Sequence, residues 1–205
     1  MSDRPRTLFP SRTPPGTALA VLAEREGLTV DRGEHVAVFS PCRLYRYALT
    51  FAVRKARGRG PVEGPPGVFL MLNPSTVDAD RLDPTLTRCR NFARLWNWST
   101  VTVVNIFAWR STDPAGMKAA ADPVGPANDA AILAAVRAAD GLAVAGWGVH
   151  GEHRGRSGEV LAMLAGEGVD PLALRVTKAG HPGHPLYVPG RTPPLPLSRF
   201  PKAAR

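Results

Sequence analysis

The sequence predicts an α/β fold, namely a three-layer α/β/α sandwich with a mostly parallel central sheet and an N-terminal antiparallel hairpin at the edge. Two observations predict it. From residue 68 onward, short apolar runs alternate with segments of helical periodicity, the order that builds a parallel sheet covered by helices. Before that point, two strand-like runs follow each other with only a short break. With 205 residues, 44% of them apolar, the chain is long enough for one sizeable core.

The N-terminal part is predicted to contain a tail, one helix and the hairpin. Residues 1–15 are basic and rich in proline, which is typical of a disordered tail. The Ala- and Leu-rich segment 17–26 is predicted to form a helix that ends at Gly27. Segments 36–40 and 44–53 are predicted to form the hairpin. The second of them alternates apolar and polar residues, as a half-exposed strand does.

The alternating part begins with segment 68–72, a predicted buried strand that ends at the turn Asn73-Pro74. Asp83-Pro84 is predicted to start the next helix, because Asp is a good N-cap and Pro suits the first helical position. We expect one domain over residues 16–190, followed by a Pro-rich, basic tail over 191–205. The remaining predicted elements are strands at 101–107, 142–147 and 172–176, a helix from Gly125-Pro126 to about residue 139, and a helix at 159–165.

Charge and cysteine content limit the classes of protein to consider. A formal net charge of +9 favours a polyanionic partner such as nucleic acid, although a surface of solvated arginines gives the same charge. Two cysteines are too few for a disulfide framework or a four-thiolate metal site. We find neither an apolar run of membrane-spanning length nor a secretory signal. We therefore expect a cytoplasmic monomer without a membrane partner.

Polar side chains follow the predicted parallel strands at the points where the strands end. Asn73 comes first, with Ser75 and Asp78 just beyond it, and Asn105 follows on the next strand. Trp147 ends the third strand, and the fourth leads to two histidines. Since the carboxyl ends of parallel strands share one edge, we expect these groups to converge there, where α/β sheets bind ligands.

Several familiar sites are absent from the sequence. No glycine-rich phosphate loop follows a strand, and no nucleophile elbow is present. Four histidines could be imagined around zinc, but their spacing is irregular and no cysteine assists them. We therefore expect no metal and no cofactor. These histidines are His150, His153, His181 and His184.

The polar set suits cleavage of an N-glycosidic bond, in which negative charge builds up on the departing base. Asn73 or Asp78 would hold the attacking water, and His184 would donate to the leaving base. Asn105 would read the edge of the base, because an amide offers both a donor and an acceptor. Each residue also has a plainer role: Asn73 as a turn former, Asn105 as a cap of backbone groups and His184 as a packed loop histidine. Phe107 or Trp109 would stack on the base.

A set of short motifs resembles the bacterial and phage family known as domain of unknown function 1643. The resemblance covers roughly residues 36–190, and no activity is established for that family. Its last motif favours His184 over His181 as the working histidine. The motifs are Arg46-Tyr47-Ala48-Leu49, Leu72-Asn73-Pro74-Ser75-Thr76, Asp83-Pro84-Thr85 with Arg88-Cys89, Asn105-Ile106-Phe107-Ala108, Arg110-Ser111-Thr112-Asp113-Pro114, Gly125-Pro126 with Asn128-Asp129, Trp147-Gly148, Thr177-Lys178 and His184-Pro185-Leu186-Tyr187.

The order of these motifs is also similar, more distantly, to the uracil-DNA glycosylase superfamily. That resemblance implies a hydrolase that flips a damaged or modified base out of DNA during repair, with Leu186 or Tyr187 wedged into the stack. The acids Asp78, Asp80 and Asp83 argue against plain uracil as the base. Two alternatives stay open: a non-catalytic nucleic-acid-binding protein of the same fold, and an N-glycosidase that acts on free nucleotides.

The resemblance and the strand-end argument together assign three groups of residues. The catalytic group is Asn73, Asp78 and His184. The substrate-binding group is Ser75, Asn105, Phe107, Trp109, Trp147, His181, Leu186 and Tyr187. The cations expected on the DNA backbone are Arg54, Lys55, Arg57, Arg110, Arg154, Arg156 and Lys178.

Overall fold

In the part of the chain that the structure describes, an eight-stranded mixed sheet and five α-helices form a fold of the α/β class. The computed structural model describes residues 15–54, 63–76 and 82–201. The strands are β1 (Thr29–Arg32), β2 (Val36–Phe39), β3 (Arg46–Ala52), β4 (Gly67–Met71), β5 (Thr100–Asn105), β6 (Ala143–Ala145), β7 (Leu172–Ala173) and β8 (Leu195–Pro196). The helices are α1 (Pro15–Arg25), α2 (Pro84–Leu95), α3 (Pro114–Ala119), α4 (Asn128–Ala138) and α5 (Arg156–Gly166).

The strand order is β1-β2-β3-β5-β4-β6-β7-β8. The four strands that sequence periodicity predicted, β4 to β7, are parallel to one another and form the middle of the sheet. The other four pairings are antiparallel. The prediction of a mostly parallel sheet is therefore wrong for the sheet as a whole, because antiparallel strands extend it on both sides.

The predicted hairpin exists as β2 and β3, but it does not form the edge of the sheet. β1 pairs with the outer side of β2, and β3 joins the hairpin to β5. Sequence patterns missed β1 because four half-exposed residues carry little periodicity. The C-terminal segment predicted as a tail contributes β8, whose two residues pair with β7.

Helices cover both faces of the sheet. The buried residues of α2 pack with one apolar cluster, which includes Phe69 and Val103. Helices α1, α4 and α5 pack with a second cluster on the opposite face, which includes Leu70 and Val104. Alternate residues of β4 and β5 thus enter different clusters, as expected for strands buried on both sides. No helix among the described residues is long and apolar enough to cross a bilayer.

The sheet reverses its connection order beside β4. The chain runs from β4 through α2 to the neighbouring β5, and then through α3 and α4 to β6 on the other side of β4. The first helix connection lies on one face and the second on the opposite face. Such a reversal leaves a crevice beyond the carboxyl ends of the strands, where ligands of α/β proteins bind.

Candidate functional site

A cavity of about 620 Å³ lies at this crevice, in the size range of small-molecule sites. Its walls come from the ends of β4, β5 and β6, the start of α2, and the loop that follows β7. Seven of the sequence-predicted residues line it. These are Asn73, Ser75, Asn105, Trp147, His184, Leu186 and Tyr187.

Asn73 is fixed at the end of β4 through its side-chain amide. The Nδ2 group donates to the carbonyl oxygen of Ser111 at 2.9 Å and, more weakly, to that of Pro74 at 3.4 Å. Both bonds occupy the NH₂ side of the amide. No donor reaches its Oδ1 among the described residues, so this oxygen remains an acceptor at the cavity wall.

Asn105 ends β5 and is only 4% exposed, yet its amide has no protein partner among the described residues. Its backbone is held from behind by Asn128, a fully buried residue at the start of α4. Asn128 Nδ2 donates to the carbonyl oxygens of Asn105 at 3.0 Å and of Ile106 at 3.1 Å. A buried amide normally forms hydrogen bonds, so the Asn105 side chain is suited to a ligand that enters the cavity.

His184 lies on a loop that is closely packed against the end of β6. Pro185 sits on Gly146, where an added Cβ would lie 2.8 Å from the proline Cδ. The backbone nitrogen of Gly148 donates to the carbonyl oxygen of Pro182 at 2.8 Å. Arg88 of α2 holds the far end of the loop by donating to the carbonyl oxygen of Val188. The loop is therefore positioned by two different elements of the core.

The tautomer of His184 follows from its backbone contact. The N–H of Leu186 donates to His184 Nδ1 at 3.3 Å, so in the neutral ring the proton is on Nε2. Burial lowers the pKa of His184, while the negative charge of Asp83 opposes that shift. A neutral imidazole with Nε2–H as donor is thus the favoured form at neutral pH.

Arg46 is a cavity residue that the sequence reasoning missed. Its strand, β3, runs antiparallel to β5, so the first residue of β3 lies at the carboxyl end of β5. β3 contains a bulge at Tyr47. Val38 of β2 pairs with Ala48, but the next residue, Phe39, pairs with Arg46, so Tyr47 has no partner on β2. This extra residue reverses the alternation and places Arg46 on the same face as Phe39 and the cavity. Simple alternation along segment 44–53 predicts the opposite face.

The guanidinium of Arg46 is buried and forms no ion pair with the residues that the structure describes. The residue is 5% exposed, and its side chain forms no hydrogen bond or ion pair with the described residues. Burial lowers the pKa of Arg46 to about 10, and the nearby charge of Arg110 acts in the same direction. Asp83 opposes that shift through space, but it is engaged as the N-cap of α2, where its Oδ1 accepts from Leu86 at 2.8 Å.

Some of the predicted substrate-binding residues lie outside the cavity wall. Phe107 is fully buried in the core, so it cannot stack on a base. Trp109 packs edge-on against Tyr45, with ring centroids 5.4 Å apart. His181 faces Glu152 instead, at 4.0 Å between Nδ1 and Oε2. Asp78, the alternative base, lies outside the described residues.

The five described cations that were predicted on the DNA backbone do not line the cavity, and three of them bind their own chain. Arg110 donates to the carbonyl oxygens of Arg43 and Thr76. Arg154 donates to those of Ala120 and Ala121. These contacts do not support phosphate binding by the two residues. Arg54 and Lys178 are exposed, whereas Lys55 and Arg57 lie outside the described residues.

Arg156 is likewise unsuited to a phosphate, because it is only 3% exposed. Its Nε donates to the carbonyl oxygen of Ile106 at 2.8 Å. Its two other nitrogens pair with Asp129 and Glu159. Arg156 thus fills a structural role behind β5.

The histidines of the chain do not assemble a metal site in the part that the structure describes. No group of three or more His, Cys, Asp or Glu side chains is close enough to bind a metal ion there. His150 lines the cavity and contacts Lys118 Nζ through Nδ1 at 3.2 Å. His153 instead lies against the ring of Phe107, 5.8 Å between centroids.

Comparison with protein families identifies one match, over residues 46–186, to the family described as "Protein of unknown function (DUF1643)". The chain belongs to this family. The match confirms the first sequence resemblance and begins at Arg46, the buried arginine of the cavity. No curated protein and no solved structure matches the chain, so the more distant resemblance to uracil-DNA glycosylases has no support from the comparisons.

Proposed function

We propose that the protein hydrolyses the N-glycosidic bond of a damaged or modified base, as uracil-DNA glycosylases do. One observation carries this proposal: Asn73, Asn105 and His184, which lie far apart in sequence, line the same cavity. Each has its reactive atom available there. Asn73 offers an acceptor, His184 a donor, and Asn105 an amide whose side chain has no hydrogen-bond partner among the described residues.

The chemistry assigns one task to each residue. Asn73 Oδ1 accepts a hydrogen bond from a water and directs its oxygen at C1′ of the sugar. As the new C1′–O bond forms, the C1′–N bond breaks and its electron pair leaves with the base. His184 Nε2–H donates to the base and stabilises this negative charge. The attacking water loses a proton and the base gains one. Asp83, a carboxylate on the cavity wall, is available to accept the water proton.

The rim of the cavity supports base extrusion. Leu186 and Tyr187 are large side chains that are 39% and 74% exposed beside His184. Exposed apolar side chains at this position can fill the gap that a flipped base leaves in the stack. Helices on both faces and the central strand order β5-β4-β6-β7 are compatible with the three-layer glycosylase architecture, which we include in the proposal.

The test is release of free base from oligonucleotides that carry uracil, hypoxanthine, alkylated bases or hypermodified bases, followed by chromatography and mass spectrometry. We expect release from at least one substrate. Replacing Asn73 or His184 by Ala should lower the rate by about 100-fold or more, since each removes one group that acts in the transition state. Asn91→Ala, which removes an exposed amide on α2, should leave the rate unchanged.

A rate that is equal in wild type, Asn73→Ala and His184→Ala would contradict the proposal. Tight, salt-dependent binding of oligonucleotides without any base release would favour the non-catalytic alternative. The contacts of Arg110, Arg154 and Arg156 with their own chain reduce the basic surface available for that alternative.

A further inference from the structure

We infer that the cavity takes a free nucleoside monophosphate, and that Arg46 binds its terminal phosphate. The inference rests on the proposed function in taking the base to lie against Asn105 in the same cavity. It departs from that proposal in the form of the substrate, which is a free nucleotide in place of a base flipped out of a strand. It also assigns a ligand-binding role to a residue that neither the strand-end pattern nor the glycosylase resemblance indicates.

The first step is the state of Arg46. A charged side chain that is 95% buried is normally paired or hydrogen-bonded, because removing it from water is costly. The described part of the chain supplies no such partner for its guanidinium. Asp83 lies nearby, but its carboxylate caps α2 and forms no ion pair with Arg46. Within the part of the chain that the structure describes, Arg46 therefore lacks an anion to pair with, and a bound ligand can supply one.

The second step is the chemistry of that anion. The planar guanidinium presents its N–H donors in a fork that matches phosphate oxygens. Arg175 adds a second cation to the cavity wall. Asn105 provides donor and acceptor groups for a nucleobase in the same space. An anionic group and a heterocycle within one cavity of about 620 Å³ describe a nucleotide.

The third step decides between a free nucleotide and a nucleic-acid strand. A strand needs cations along its path outside the cavity. Arg110, Arg154 and Arg156, three of the predicted backbone contacts, donate to carbonyl or carboxylate groups of their own chain. Arg46, in contrast, lines the cavity and has no hydrogen-bond partner for its guanidinium in the described part of the chain. The described cations thus favour a phosphate within the cavity over a backbone beside it.

The experiment compares calorimetric titrations of the full chain with inorganic phosphate, with each common deoxynucleoside monophosphate including the uracil form, and with the corresponding nucleosides. We expect the best monophosphate to bind about 10- to 100-fold more tightly than its nucleoside. Arg46→Met should abolish this difference without changing the affinity for the nucleoside. Arg46→Lys should retain part of it, since it keeps the charge but loses the fork.

Arg32→Met is the matched control, because Arg32 is an exposed arginine on the edge strand β1. It should bind every ligand as the wild type does. Thermal melting without ligand adds an independent measurement. If Arg46 serves to bind a ligand, its buried, unpaired charge destabilises the protein without ligand. Arg46→Met should then melt at the same temperature as wild type or higher. A structural arginine would give a clearly lower melting temperature.

The inference is overturned if no monophosphate and no inorganic phosphate binds more tightly to wild type than to Arg46→Met. It is also overturned if an oligonucleotide without terminal phosphates needs Arg46 for binding and the monophosphates do not. Its failure is distinguishable from that of the proposed function. Base release from oligonucleotides that is unaffected by Arg46→Met would support the glycosidase activity and contradict the phosphate site. Arg46-dependent phosphate binding without base release from any substrate would support the phosphate site and contradict the glycosidase activity.

Discussion

Two buried arginines, Arg46 and Arg156, contact the segment that follows β5, and they differ in the hydrogen bonds and ion pairs that their guanidinium groups form. Arg156 reaches the carbonyl oxygen of Ile106 and pairs with two carboxylates. Arg46 contacts the same segment through its backbone nitrogen, which donates to Ala108, but its guanidinium has no counter-ion among the described residues. The charge of Arg156 is therefore paired within the protein, whereas the charge of Arg46 is not paired with any described residue.

This difference separates a structural arginine from a binding one more clearly than exposure does. Both residues would be called core residues by burial alone. The number of hydrogen bonds to the guanidinium distinguishes them, because a buried charge costs free energy in proportion to what remains unpaired. Arg110, Arg154 and Arg156 bind groups of their own chain, which makes these three cations less available to a polyanion.

The largest expected effect is the loss of stability on replacing Arg156, the arginine whose charge is paired. Arg156→Met should lower the free energy of unfolding by about 2 to 3 kcal/mol, because it breaks a buried network while its exposed carboxylate partners can be rehydrated. Urea unfolding followed by circular dichroism measures this change. Arg137→Met is the control. It removes an exposed ion pair with Glu167 and should cost no more than about 1 kcal/mol. Equal effects of the two substitutions would contradict the structural role of Arg156.

A smaller effect is expected from Asp83, whose negative charge acts on Arg46 through space. Asp83→Asn keeps a good N-cap for α2 but removes a negative charge near the cavity. Phosphate should then bind about threefold more tightly, measured by calorimetry against wild type. Asp113→Asn is matched to it, because Asp113 caps α3 in the same way and does not line the cavity. An unchanged or weaker affinity in Asp83→Asn would show that Asp83 does not oppose an anion at Arg46.

The smallest effect concerns pH. The pKa of His184 is lowered by burial from its ordinary value of 6.5, so the unfolded chain takes up this proton more readily than the folded one. Stability from this residue is present above pH 6.5 and decreases as pH falls towards the folded pKa. His184→Asn, which can still accept from Leu186, should flatten that decrease in melting temperature. His153, whose pKa is also lowered by burial, should keep part of the slope in the variant. Parallel curves for wild type and His184→Asn would contradict the burial effect.

Sequence patterns predicted the elements whose signals are local. β4 is a continuous apolar run, and Asp83-Pro84 starts α2 with the predicted cap. The convergence of Asn73, Asn105 and His184 followed from one rule about parallel strands, and the structure brings the three residues to one cavity. Asp113-Pro114 repeats the start signal of α2, so α3 could have been predicted, but the helix is only six residues long.

Other features depend on pairings that no local pattern records. β8 consists of Leu195 and Pro196, and it exists only because β7 offers an edge to pair with. Phe107 follows β5 and looked available for stacking, but packing on both faces of the sheet buries it. Arg156 was predicted to be a surface cation because its partners are distant in the sequence. They come from α4 and from the backbone that follows β5. In each case tertiary contacts outweigh the local signal.

The single extra residue in β3, Tyr47, shifts the alternation of side chains between the two faces of the strand by one position. Before the bulge, residues on one side of β3 alternate in step with β2, and after it the same spacing selects the opposite side. Deleting Tyr47, which does not line the cavity, would restore the uninterrupted alternation and turn the preceding residue, Arg46, away from the cavity. The length of β3, and not only the side chains that line the cavity, therefore determines which residue of this strand reaches the cavity.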